Sequence, residues 1–336
     1  MPKKVTMQDI ADKLNISKNS VSQALSGKTG VSEHTRQLIK KTADELGYKY
    51  GSSRSLTTNK GKNIGIIASD FAFSQKSFFG EIYLTVDKEL KKRNMNLLIE
   101  SIDDHSRDNL ILPSFVENQS VSGILIISHI STGYINRIIG TGIPTVLIDH
   151  HHPFNPADAI LLNNRFAAYK AVQHLIDLGH TNIGFVGNVD FSPSYQERLE
   201  GYLLALRENG IHAQQSFMVT DIVESGEQVN EAMEQLQQQP TAWFCVNDGF
   251  GFFVLTSLQS KGYKIPTDIS VCSFDNGDLS RLTTPKTTTM NVDLAVYGKK
   301  AVEQLLWRMD NPDEELQEIL LNSTLIKRDS TGPAPK

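Results

Sequence analysis

Cysteine is almost missing from this chain: two in 336 residues, Cys245 and Cys272, each inside an apolar run. A disulfide framework is therefore excluded, and both read as small buried hydrophobes of a reducing compartment. No apolar stretch approaches the roughly 18 residues that a membrane helix needs. The opening Met-Pro-Lys-Lys lacks the apolar core of a secretory signal, so a cytoplasmic protein is expected. Catalytic constellations are lacking too. Gly27-Lys28-Thr29 matches the end of a phosphate-binding loop, but the glycine required five residues earlier is Ser22 and no strand precedes it. Ser194 near Arg198 has no nucleophile elbow and no justified histidine. His150, His151 and His152 are consecutive, which is poor spacing for a metal. Neither an enzyme, a cofactor nor a metal is expected.

What is present is a charge asymmetry. Of 33 Lys/Arg and 38 Asp/Glu, residues 1–62 hold twelve and five, which leaves 21 and 33 for the remainder. A basic arm on an acidic body can hold phosphates at one end only. The length suggests about two or three domains, and 39% hydrophobic residues are enough to build their cores.

The arm has helical punctuation. Thr6 can cap a helix with Asp9 as capping-box partner, and Ile10, Ala11 and Leu14 share a face. Asn15 tolerates the left-handed conformation of a tight turn. Ser17 caps a second helix with Val21, Ala24 and Leu25 on one face. Ser32 caps a third, with Thr35, Leu38, Ile39, Thr42 and Leu46 at helical spacing. Two short helices across a three-residue turn, completed by a third, form the helix-turn-helix plan. The polar face of the second helix carries Lys18, Asn19, Ser22 and Gln23. Amides can read adenine edges, and lysine can reach guanine or phosphate.

These residues carry a resemblance. Val5-Thr6-Met7-Gln8-Asp9-Ile10-Ala11, Ser20-Val21-Ser22-Gln23-Ala24-Leu25-Ser26-Gly27, Val31-Ser32-Glu33-His34-Thr35-Arg36 and Glu45-Leu46-Gly47-Tyr48 are similar to the headpiece of the lactose-repressor/galactose-repressor (LacI/GalR) family. The resemblance implies DNA contacts from Thr6, Ser17, Lys18, Asn19, Ser20, Ser22 and Gln23, with Lys18 and Asn19 opening the recognition helix. Gln23 stands where the family usually has arginine, so an operator shifted toward adenine at that base pair is expected. Residues 49–63 have linker composition. The resemblance implies that Leu56 wedges into the minor groove, although Tyr50-Gly51 replaces the usual proline and asparagine and the segment is one residue short.

From Ile64 onward, strands alternate with helices. The spacing predicts strands at 64–68, 96–99, 123–127, 144–148, 183–186, near 217–220, 242–246 and 269–274, with helices between them, including one near 107–118. Such alternation implies parallel doubly wound sheets in two lobes, with ligands beyond the strands' carboxyl ends. That rule selects Ser69, Asp70, Asp103, Asp149, Asn247, Asp248 and Asp275, and Phe71, Phe73, Phe78 and Phe79 could cover a sugar face. The resemblance continues through Glu197-Arg198-Leu199-Glu200-Gly201-Tyr202, Val246-Asn247-Asp248, Ser273-Phe274-Asp275 and Lys327-Arg328-Asp329-Ser330-Thr331. It implies effector contacts from Asp149, Ser194, Arg198, Asn247 and Asp275; with Ser69 and Asp70 from the strand-end rule and Phe79 from the aromatics, these make up the expected effector site. Lys76-Ser77 before Phe78-Phe79 and Asn163 in place of aspartate depart from the family pattern. They leave the effector open, an anionic one included.

The expected architecture is an all-α helix-turn-helix headpiece plus an α/β periplasmic-binding-protein-like sensor of two doubly wound parallel-sheet lobes. The boundaries are 1–50 for the DNA-binding domain, 51–62 for the hinge, 63–162 with 292–331 for the first lobe, and 163–291 for the second. The expected function is a homodimeric repressor that reads pseudopalindromic operator DNA under control of a small carbohydrate effector. A repressor answering to a protein partner and a sugar-binding receptor are the alternatives.

Overall fold

The computed structural model describes residues 5–25, 31–46, 63–70, 72, 78–127 and 130–336. Leu56 and the rest of the linker, Phe71, Phe73 and Lys76-Ser77 lie outside them. The chain divides into two compact units, residues 1–61 and 62–336.

In the first unit, helices α1 (Met7–Leu14), α2 (Lys18–Leu25) and α3 (Glu33–Glu45) pack around Ile10, Ala11, Val21, Ala24, Ile39 and Ala43, all buried. The capping box predicted at Thr6 is formed: the Asp9 amide donates to Thr6 Oγ1, and the Thr6 amide to Asp9 Oδ2. Asn15 takes the left-handed conformation, φ 53°, and the Ile16 amide bonds the Ala11 carbonyl across the turn. Ser17 Oγ accepts from the Ser20 amide at the start of α2, and Ser32 Oγ from the Thr35 amide at the start of α3. Arg36 ties α3 to α2 through the Ala24 carbonyl at 2.9 Å. One expectation fails: Leu38 is exposed, and Ala43 fills the core instead. Which of the two faces the other helices is settled by their packing, which spacing alone cannot reveal.

In the second unit, β1 (Asn63–Ser69), β2 (Asn96–Ile102), β3 (Gly123–Ile127), β4 (Thr145–Ile148), β5 (Asp158–Leu162) and β11 (Glu318–Leu321) form a sheet of order β11-β5-β4-β3-β1-β2. β6 (Ile183–Val186), β7 (Met218–Val219), β8 (Ala242–Cys245), β9 (Ser270–Asp275), β10 (Thr288–Asn291) and β12 (Thr324–Ile326) form another, of order β12-β10-β9-β8-β6-β7. Both are parallel except where β12 meets β10. The reversals of order lie at β1/β3 and β6/β8, which is where an open α/β sheet leaves a crevice.

The first sheet is covered by α4 (Phe79–Lys91), α5 (Asp104–Asp108), α6 (Ser114–Glu117), α7 (Thr132–Ile139) and α13 (Leu294–Asp310). The second is covered by α8 (Asn164–Asp177), α9 (Pro193–Glu208), α10 (Gly226–Gln235), α11 (Asp248–Ser260) and α12 (Asp278–Leu282). The single helix expected near 107–118 is two short ones. Leu110 has φ 53°, and Pro113 cannot donate within a helix, so the chain breaks between them. Strands β5, β10 and β12 were not anticipated. The last corrects the lobe boundary, because residues 324–326 pair with the second sheet and the first lobe's return ends at β11. Among the described residues, no helix is long and apolar enough to cross a membrane.

Candidate functional site

A cavity of about 1180 Å³ opens between the two lobes of the body, at the carboxyl ends of the strands. Among the residues that line it is Arg198 on α9, almost wholly buried. α9 lies close against α8 because residue 201 is glycine: a Cβ there would come within 2.1 Å of the Arg165 carbonyl oxygen. That approach brings Arg198 to Asn164, whose Oδ1 accepts from Arg198 Nε at 2.9 Å. Arg198 Nη1 also donates to the Val246 carbonyl and lies 3.4 Å from Asp275 Oδ1. The guanidinium stacks on Phe274, 3.7 Å from the ring centre. Arg198 is 3% exposed, so these contacts are what make a buried charge tolerable.

Around it stand three carboxylates. Asp149 follows β4 in a left-handed conformation, φ 57°, and accepts from Ser194 at 3.3 Å and Tyr297 at 3.4 Å. Burial raises its pKa to about 7; Arg198 opposes the shift and Asp275 adds to it. Asp275 ends β9 with φ 101° and is also pushed upward by burial. Glu224 reaches in from the loop after β7, with its pKa raised by desolvation and by Asp275. Asn247 orders this wall. Its Oδ1 caps α11 through the Phe250 amide, and its Nδ2 donates to Tyr195 Oη at 2.8 Å and Glu224 Oε2 at 2.6 Å.

All eight residues expected at the effector site line this one cavity: Ser69, Asp70, Phe79, Asp149, Ser194, Arg198, Asn247 and Asp275. They differ in setting. Ser69 Oγ accepts from the Ala72 amide, Asp70 is exposed, and Phe79 meets Phe78 edge-on at 4.9 Å. Ser194 and Asn247, by contrast, are buried like Arg198. Asp248, also picked by the strand-end rule, lies behind the wall. It bonds Ser273 Oγ, Thr289 Oγ1 and the Gly277 amide, and burial lifts its pKa to about 7. Asp103 caps α5 through the Ser106 amide at 2.7 Å, and hydrogen bonding from the Ser106 side chain, then from that amide, lowers its pKa. Sequence reasoning missed Tyr195, Phe191 and Glu224. Applying the strand-end rule to β7, as to the other strands, would have led to the 221–224 loop.

In the headpiece, Thr6, Ser17, Lys18 and Asn19 are exposed, and Ser20, Ser22 and Gln23 partly so. They line the start of α1 and the outer face of α2.

Comparisons with known proteins agree with both geometries. Residues 6–50 match the model for bacterial regulatory proteins of the lacI family, and residues 172–331 match a periplasmic binding protein-like domain. The ribose operon repressor of Haemophilus influenzae is 31% identical over 330 residues, covering 97% of this chain and 98% of its own. The chain belongs to the LacI family. Another LacI-family relative, the probable HTH-type transcriptional repressor ExuR of Bacillus subtilis, is 29% identical over 332 residues, with 97% and 98% covered. Among solved structures, a LacI family transcriptional regulator from Enterococcus faecium with bound ribose superposes with TM-score 0.69 at 26% identity. It covers 81% of this chain and 99% of its own.

Proposed function

We propose that this LacI-family regulator represses carbohydrate-utilisation genes, binding operator DNA through its headpiece and a small carbohydrate in the cavity of its body. One observation carries the reading. Polar groups from separate strand ends converge on one enclosed space around Arg198, as recognition of vicinal hydroxyls requires. The E. faecium relative holds ribose, and the H. influenzae relative is named for the ribose operon, which supports a sugar.

In this reading Arg198, Asp149 and Asp275 bond the hydroxyls, Ser194 helps hold Asp149, and Phe79 covers an apolar face. Asn247 has both ends of its amide engaged, so it orients Tyr195 and Glu224 and leaves direct contact to them. Lys18, Asn19 and Gln23 read base edges in the major groove, Thr6, Ser17, Ser20 and Ser22 hold the backbone, and two copies meet a pseudopalindrome. Sugar alters operator affinity only through its different affinity for two states of the body.

The test is fluorescence anisotropy on promoter fragments with and without sugars, beside thermal unfolding of the free protein. A true effector at a hundredfold excess over its Kd stabilises the fold by about 2.7 kcal/mol and shifts the operator isotherm. Absence of any preference for promoter over random duplex refutes the reading. Gln23→Arg should move the preferred base from adenine to guanine, a change worth about 1–3 kcal/mol at that position.

A further inference from the structure

The cavity's charges are unevenly matched. Among the described residues, the wall around Arg198 sets the half-buried Asp149 and Asp275 and the exposed Glu224 against that one cation, which already serves Asn164, the Val246 carbonyl and Asp275. The remaining guanidinium at the cavity, Arg107, is paired with Asp104 and Asp108 on its own helix. Among the described residues, a ligand carrying a negative charge would meet carboxylates and no guanidinium free of a carboxylate partner.

Glu224 is the carboxylate with the most construction behind it. Asn247 holds Oε2, while Oε1 lies in space that exists only because residue 249 is glycine: a Cβ there would sit 1.8 Å away. Glu224 is thus seated across the first turn of α11 and lines the cavity without a cation partner among the described residues. A loop carboxylate needed only for solubility would require neither the amide clamp nor the glycine seat.

Resting on the reading of this cavity as the effector site, we propose that it selects carbohydrates without an anionic group, and that Glu224 receives a ligand ammonium. An amino sugar then binds more tightly than its neutral counterpart, and both more tightly than the matching sugar acid or phosphate. Burial is the first cause that pulls the pKa values of Asp149, Glu224 and Asp275 upward, and Asp275 adds to it at Asp149 and Glu224, in a wall short of positive charge. Adding a cation relieves that shortage, and adding an anion deepens it.

Two measurements on the full chain test this. In the first, calorimetry and thermal shift compare matched sets: glucosamine, glucose and glucuronate; galactosamine, galactose and galacturonate; ribose and ribose 5-phosphate. Within the set that binds, each step from cation to neutral to anion should weaken affinity about tenfold. Glu224→Gln should abolish the ammonium preference, and Gly249→Ala, which displaces the carboxylate without removing it, should reduce it. A sugar acid or phosphate binding as tightly as its neutral counterpart overturns the proposal, and an ammonium preference that survives in Glu224→Gln overturns the assignment to Glu224. In the second, Phe191→Trp places a reporter on the cavity wall, with the signal of the parent protein subtracted. Caesium should quench it more efficiently than iodide, and Glu224→Gln should narrow the difference; iodide quenching as efficient as caesium overturns the inference. A protein that answers to none of these sugars yet shows the caesium preference would sink the effector reading while leaving the charge of the cavity as inferred.

Discussion

The two lobes share one topology but contribute differently to the cavity between them. The second lobe presents side chains locked by partners of their own: Arg198 on Asn164 and Val246, and Asn247 on Tyr195, Glu224 and the start of α11. Apart from Asp149, which Ser194 and Tyr297 hold, the described contribution of the first lobe is lighter. Ser69 and Ser131 cap local turns, Asp70 is exposed, and Phe79 packs on Phe78. One wall is pre-organised and the other is adjustable. A ligand that must close two lobes needs one rigid template to be recognised and a second surface free to move onto it.

If the second lobe is the template, the largest effect should come from its centre. Arg198→Met removes the guanidinium and leaves Asp275, Asn164 and the Val246 carbonyl without their donor. Breaking one partner out of a buried ionic network costs about 3–5 kcal/mol, and chemical denaturation should show a loss of that order together with loss of any sugar-induced thermal shift. A loss below about 1 kcal/mol would mean that the template is not held through Arg198. Gly201→Ala attacks the same centre indirectly. The new methyl collides with the Arg165 carbonyl and must push α9 from α8, at about 1–3 kcal/mol by overpacking. Because the shift moves Arg198, sugar affinity should fall with stability. An unchanged affinity would separate helix packing from recognition.

The first lobe's side of the cavity should be far more tolerant. Ser131 lines the cavity and caps α7 through the Tyr134 amide at 3.4 Å. Ser131→Ala should cost only about 0.5–1 kcal/mol, the worth of a weak cap, and change sugar affinity little. A collapse of binding in this variant would erase the contrast between the lobes.

The elements of this fold were largely legible because their signals are local. Capping box, left-handed asparagine and apolar runs each need only a few neighbouring residues, and Thr6, Asn15 and β3 all lie where those signals put them. What escaped depends on distant parts of the chain. β12 has three residues and gains its identity only by pairing with β10, more than thirty residues earlier. Leu38 and Ala43 are both compatible with helical spacing, and the packing of α3 on α1 and α2 decides which is buried. At the site, strand ends pointed to Asp149, Asn247 and Asp275, since a carboxyl end is fixed by its strand. Glu224 sits several residues beyond the two-residue strand β7, and its place depends on Asn247 and Gly249, so the strand-end rule leads to its loop but does not single it out. The histidine triplet was similarly opaque: consecutive residues in a loop say nothing of the partners they meet across the fold.

One of those histidines offers the mildest and most specific test of the contrast. His151 follows β4 in the first lobe. Its Nε2 lies 2.8 Å from Glu197 on α9 of the second lobe, and its Nδ1 3.1 Å from Glu318 on β11 of the first. Glu197 also accepts from Asn164, the residue that holds Arg198. His151 is thus a clasp between the adjustable lobe and the template. The hydrogen bond to Glu197, against a smaller desolvation cost and with help from Glu318, raises its pKa from 6.5 to about 9. A histidine raised on folding stabilises the native state fully below its unfolded pKa, and that contribution disappears as pH climbs through the folded one. The stability difference between the parent and His151→Gln should therefore be greatest below pH 6.5 and vanish above pH 9. Asp149 and Asp248, both shifted to about 7, also make stability fall between roughly pH 4 and 7, but they do so in both proteins and cancel in the comparison. The clasp is partly open to solvent, so the effect should be smaller than that of any substitution above. Denaturant midpoints of the two proteins across this pH range measure it, and a difference that does not change with pH would show that His151 holds the lobes by packing and not by charge.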